Sequence, residues 1–194
     1  MINNTILLTG FEKFDKLSSN LSGEIVKSFD DKFHQYSIKK LILPVSWKRS
    51  VESYIEFFKL TKLKPYLVIL MGIHSKKRIC LEKVSLNWVF GKDMDGFYKM
   101  GFINIKKSLK LNTILNVKEI LKALKYSLRL SVSYFPGFYL CNYIYYWALD
   151  ISKNEYPVIF IHIPRKGKLE DYISYVKKII EEILNKCQHN KYFD

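Results

Sequence analysis

The sequence predicts an α/β fold, a single-domain three-layer αβα sandwich built on an open, mixed, mostly parallel sheet. Three observations predict it. Tyr66 to Met71 and Val158 to Ile163 are continuous apolar runs closed by Gly72 and Pro164, as expected of central strands buried on both faces. Between such runs stand segments whose apolar residues recur at helical spacing. The chain also opens strand first, with Ile6-Leu7-Leu8 ending at the turn Thr9-Gly10. A length of 194 residues, 48% of them hydrophobic, is enough for one core, so one domain is expected over 1–194.

In order, Leu21 to Phe29 has helical spacing, Ile38 to Val45 reads as a second strand, and Ser50 to Leu60 is a helix with Val51, Tyr54, Ile55 and Phe58 on one face. Pro65 then stops the connection before the Tyr66 strand. Lys83 to Phe90 alternates well enough for a strand, while Gly91 to Leu111, rich in Gly and Lys, carries no clear period and has room for a hairpin. Val117 to Tyr126 reads as a helix, Leu128 to Tyr134 as a strand, and Pro136-Gly137 as the turn into a helix over Tyr139 to Ile151. Last comes a helix from Lys168 to Lys186. Tyr172, Val176, Ile179, Ile180 and Ile183 form its inner side, and Lys177, Lys178, Glu181 and Glu182 its solvated one.

Composition removes several classes. No apolar run approaches the roughly 20 residues of a spanning helix, and Met1 to Leu8 has no basic, cleavable leader, which together point to the cytoplasm and away from a membrane. Cys80, Cys141 and Cys187 are odd in number and form no CxxC pair, so neither a disulfide framework nor a zinc site is expected, and no cofactor. The formal charge of +14 is spread along the chain. Its densest runs, Lys76-Lys77-Arg78 and Arg165-Lys166-Gly167-Lys168, lack interleaved aromatics, so no nucleic-acid partner is expected.

Three residues could carry chemistry. Cys141 falls in the first turn of the helix after Pro136-Gly137, where the dipole and free N–H groups favour a thiolate and a developing oxyanion. His162 is an ionisable ring at the end of the apolar strand Phe160-Ile161-His162-Ile163-Pro164. Glu82 follows the loop that leaves the Tyr66 strand, and a carboxylate there could orient an imidazole. On residue type alone, Cys141 could equally be a buried apolar thiol, His162 a satisfied core histidine and Glu82 a surface partner of lysine. Together they suit a cysteine hydrolase.

Longer motifs separate these alternatives. Thr9-Gly10-Phe11-Glu12-Lys13-Phe14, Asn20-Leu21-Ser22, Leu43-Pro44-Val45, Glu82-Lys83-Val84-Ser85-Leu86-Asn87, Gly137-Phe138-Tyr139-Leu140-Cys141-Asn142 and Phe160-Ile161-His162-Ile163-Pro164 occur in that order. They resemble the TGFxPF, NPS, ERVAIN, GTYVCN and FIHVP segments of the pyroglutamyl-peptidase I family, with Leu43-Pro44-Val45 resembling its second-strand segment. The resemblance implies a phosphorylase/hydrolase-like sandwich with Cys141 as nucleophile, His162 as base and Glu82 as orienting carboxylate. It also implies a peptide substrate with a blocked N-terminus and a dimer or tetramer of identical chains.

By the same resemblance, Phe11 and Phe14 would sandwich a flat lactam ring, Ile73 would belong to a pocket loop, and Lys92 would stand where the family has an Arg near the oxyanion. Phe138 replaces a small Thr beside the nucleophile. Lys13 replaces a Pro, Asp15-Lys16 a Gly-Gly pair, and Gly72 to Arg78 a glycine-rich loop. The altered loops leave a changed specificity, or a binding and assembly role without catalysis, as the other outcome.

Overall fold

The computed structural model describes residues 4–14, 19–62 and 64–188. The chain forms β1 (Thr5–Phe11), α1 (Leu21–Ser28), β2 (Lys32–Phe33), β3 (Tyr36–Leu43), α2 (Trp47–Thr61) and β4 (Leu67–His74). Then follow the short strands β5 (Ile79–Glu82), β6 (Val84–Leu86), β7 (Val89–Lys92), β8 (Tyr98–Gly101) and β9 (Lys110–Asn112). It closes with α3 (Val117–Leu124), β10 (Leu130–Ser133), α4 (Leu140–Ser152), β11 (Val158–Pro164) and α5 (Leu169–Gln188).

Seven strands make the main sheet in the order β10-β5-β11-β4-β1-β3-β2. β5 runs antiparallel to β11 and β2 to β3, and the other neighbours are parallel. The mixed, mostly parallel sandwich expected from the sequence is therefore the observed one. Side chains alternate between its faces because a strand repeats every two residues. Ile6, Leu8, Ile69, Met71, Ile159 and Ile161 turn to one side and meet apolar residues of α1, α3 and α5. Leu7, Val68, Leu70, Val158 and Phe160 turn to the other and meet α2 and α4. Each such aliphatic side chain contributes about 2 kcal/mol by leaving water.

Helix starts are fixed by short polar side chains that accept otherwise free N–H groups. Asn20 accepts from Ser22, Ser46 from Arg49 and Asn116 from Glu119. The Ser46 cap explains why α2 begins at Trp47, ahead of the expected Ser50. α1 lies against β1 backbone to backbone, because Gly10 and Gly23 present no Cβ where Ser22 and the Phe11 carbonyl come close. The Ser22 hydroxyl accepts the Phe11 N–H at 3.1 Å, which fixes the end of β1.

The structure corrects the middle of the chain. Lys83 to Phe90 is two strands, β6 and β7, which belong to two separate two-stranded sheets, β6 with β9 and β7 with β8. Ile79 to Glu82, for which the sequence predicted no strand, is an inner strand of the main sheet. The stretch without a clear period does supply half a hairpin, since β7 turns into β8. The expected strand Leu128 to Tyr134 is only four residues long, Leu130–Ser133. Cys187, read as an exposed tail, is half-buried against the α1, α3 and α5 side, and burial pushes its thiol up to about 11. His189 and the Asp15-Lys16 pair lie outside the described residues. Among the described residues no helix is long and apolar enough to cross a membrane.

Candidate active site

β4 and β11 run parallel and in register, with Gly72 beside His162. Both positions face α4, whose second residue is Cys141. Gly72 has a steric reason to be glycine: a Cβ there would lie 2.7 Å from the Cys141 sulfur and 2.9 Å from the buried Phe160 ring. The sulfur thus occupies space that a side chain on β4 would fill, next to the imidazole on β11.

Glu82 reaches the same imidazole from the opposite strand direction. It is the last residue of β5, and its Oε1 lies 2.8 Å from His162 Nδ1. Because β5 is antiparallel to β11, Glu82 pairs with Phe160, two residues before the histidine on the same face. Only 1% of Glu82 and 6% of His162 is exposed. With Nδ1–H donated to the carboxylate, Nε2 is left for the thiol. Burial opposes charging of His162, but its interactions with Cys141 and with Glu82 outweigh it and raise the ring to about 9. Tyr145, wholly buried, donates its hydroxyl to the Glu82 carbonyl at 2.9 Å and steadies the strand end.

Asn142 locks the start of α4 onto the strand that follows Glu82. Its Nδ2 donates to the Leu86 and Trp88 carbonyls at 2.8 Å each, and its Oδ1 accepts the Leu86 N–H at 2.8 Å and the Ser85 hydroxyl at 2.9 Å. Tyr139, the residue before α4, makes no side-chain cap. The first-turn N–H groups of α4 have no intrahelical partner, and that start of the helix suits an oxyanion.

Cys141 and His162 open into a cavity of about 280 Å³. Phe11, Phe14, Val45, Ile73, Tyr139 and Leu140 make its apolar wall, Pro136 and Gly137 a further part, and Asn20 and Arg165 add polar groups. Asn20 Nδ2 donates to the Glu12 carbonyl at 3.1 Å, so the loop after β1 is held against the cavity. Of the residues expected from the sequence, Phe11, Phe14 and Ile73 line this cavity with Cys141 and His162, and Glu82 stands behind the histidine.

Lys92 and Phe138 are not in the wall. Lys92 ends β7 with its side chain exposed, and only its carbonyl turns inward, accepting the Tyr139 hydroxyl at 2.8 Å. Phe138 packs edge-on against Phe135, 5.0 Å between centroids, and its carbonyl accepts the Phe90 N–H. Sequence reasoning passed over Gly72, Asn142, Asn20 and Arg165. Asn142 adjoins the cysteine and Asn20 stands in a quoted motif, so both had a signal. Gly72 was read only as the end of a strand, and Arg165 only as part of a basic run.

Comparison with known proteins follows the same outline. The family model described as pyroglutamyl peptidase matches residues 4–170. A pyrrolidone-carboxylate peptidase of Thermococcus litoralis is 33% identical over 171 residues, 82% of this chain and 76% of the relative. One of Brachyspira hyodysenteriae is 35% identical over 166 residues, 81% of this chain and 82% of the relative. The solved pyrrolidone carboxyl peptidase of Thermococcus litoralis superimposes with a TM-score of 0.90 over 98% of each chain, at 26% identity. That of Fervidobacterium islandicum gives 0.81 over 95% of this chain and 98% of its own, at 29% identity.

Proposed function

Because the chain belongs to the pyroglutamyl peptidase family, we propose that it is a cysteine peptidase that removes an N-terminal pyroglutamyl residue through a thioester on Cys141. The observation that carries this reading is the line Glu82, His162, Cys141 beside a cavity with a mostly apolar wall. His162 takes the thiol proton, and the sulfur attacks the carbonyl carbon of the first residue. The C–N bond then breaks, the imidazolium gives its proton to the departing amine, and a thioester remains. Water, deprotonated by His162, hydrolyses that thioester and frees the thiol. Glu82 holds the ring in the productive tautomer and balances its positive charge.

The oxyanion faces the Cys141 N–H, and a donor of this kind is worth about 3 kcal/mol. Phe11 and Phe14 hold the two faces of the lactam, with Ile73 beside them. Lys92 and Phe138 would act only from outside the cavity wall. No carboxylate is among the described residues of that wall, so a free α-ammonium finds no counter-charge there, whereas an uncharged lactam needs none. A thiol nucleophile keeps its activity in a reducing compartment, which supports a cytoplasmic site of action. Exposed Phe97, Tyr98 and Met100 on the β7–β8 hairpin support a dimer or tetramer, to be read by light scattering. The deciding experiment is turnover of a pyroglutamyl-coumarin amide beside its prolyl and alanyl analogues. Cleavage of the first alone is expected, and cleavage of none would overturn the proposal.

A further inference from the structure

Beyond His162 the sheet ends in cations that this mechanism does not use. β4 and β11 finish together, with Pro164 opposite His74, and the Arg165 N–H donates to the His74 carbonyl at 3.0 Å. The loops that follow therefore run side by side. One carries Lys76, Lys77 and Arg78, the other Arg165, Lys166 and Lys168, and all six are exposed. Among the described residues none of the six is paired with a carboxylate.

This cationic edge is continuous with the active site. Arg165 is itself part of the cavity wall. The His74 ring stacks on the His162 ring, with centroids 5.2 Å apart and planes 16° from parallel, so a single ring separates the base from the loops. His74 Nε2 lies 2.8 Å from the Arg78 carbonyl, which holds that ring in place. A departing amine takes its proton from His162. The residue that bears this amine must lie beside the imidazole, and His74 and Arg165 are among the groups next to that position.

We propose that the loops after β4 and β11 form the subsite for the leaving part of the substrate, and that they select pyroglutamyl peptides whose following residues are acidic. The proposal rests on the peptidase reading above and narrows its substrate class. Arg165 receives the first carboxylate, because a guanidinium offers two parallel donors to its two oxygens. The five other cations act at longer range, drawing acidic peptides in and turning basic ones away, an effect that salt screens.

The test compares kcat/KM for pyroglutamyl-Glu-Glu, pyroglutamyl-Ala-Ala and pyroglutamyl-Lys-Lys peptides in direct competition, at about 0.02 M and about 0.5 M ionic strength. The acidic peptide is expected to lead the neutral one roughly tenfold at low salt, with the basic one last and the order compressed at high salt. Arg165→Ala should shrink the acidic-to-neutral ratio and Arg165→Glu invert it. A second variant, with Lys76, Lys77 and Arg78 all changed to Ala, should weaken the salt dependence of that ratio. Equal kcat/KM for the acidic and neutral peptides, or an acidic preference untouched by both variants, overturns the subsite and leaves the peptidase standing. Cleavage of none of the three peptides overturns the peptidase reading and the subsite with it.

Discussion

Glu82 and His162 stand eighty residues apart in the chain, yet Oε1 of one lies 2.8 Å from Nδ1 of the other, both nearly sealed from water. A carboxylate in so dry a place is costly unless it faces a positive partner. Changing Glu82 to Gln puts an amide of either polarity against Nδ1 and removes the charge that balances an imidazolium. We expect kcat to fall by about 10³ to 10⁴ with a much smaller change in KM, measured on a pyroglutamyl-coumarin amide.

Cys141→Ala should abolish turnover with little loss of stability, the cooperative melt being kept, because the sulfur is only partly buried and faces a cavity. Iodoacetamide near neutral pH should label Cys141 well before Cys80, which is buried. Uniform slow labelling of the wild type, checked by peptide mapping, would count against the nucleophile.

The raised pKa of His162 sets a pH limit. Burial alone would lower it, and the Cys141 and Glu82 interactions lift it to about 9. The imidazolium therefore persists to about that pH, and turnover should decline as pH rises through it, when the leaving amine loses its proton donor. Stability follows the same sign: the gain is full below about 6.5 and is lost as pH rises through about 9. In Cys141→Ala the interactions with the sulfur are gone while burial remains, so the ring should titrate lower than in the wild type, by NMR of the imidazole.

Gly72→Ala places a methyl group 2.7 Å from the Cys141 sulfur and 2.9 Å from Phe160. Either the sulfur or the core ring must move. Destabilisation of about 1–3 kcal/mol by denaturant melting and a loss of kcat near a hundredfold are expected.

Asn142→Ala removes four hydrogen bonds that tie α4 to the segment after Glu82. At about 1 kcal/mol each, partly regained from water, the expected loss is about 2–4 kcal/mol in chemical denaturation. Activity should fall as well, since the clamp sets Cys141 relative to Glu82.

The strands legible in the sequence were those that dominate the core. β4 and β11 are long apolar runs, β1 is a short one closed by a turn, and α5 shows its helical period plainly, so the α/β layering followed from pattern alone. Residues 79–112 were not legible, for a physical reason. β6 to β9 are three or four residues long, and the β7–β8 hairpin leaves Phe90, Tyr98 and Met100 exposed. With no wholly buried face they impose no alternation. β5 was hidden by its length and by Glu82, a charged residue that the sequence places on a loop and the structure at a strand end. Cys141 and His162 were legible as chemistry-bearing residue types at element ends. Phe11, Phe14 and Ile73 came only through the family resemblance, because nothing in their spacing separates a pocket wall from ordinary core.

The last strand to be made, β11, lies inside the sheet, between β5 and β4. During translation both of those neighbours leave the ribosome with the edges meant for β11 still bare, and no register joins them until residues 158–164 follow. A nascent chain that already carries Glu82 and Cys141 has no imidazole between them. On the proposed mechanism, competence therefore arrives in one step, with the same strand that closes the sheet.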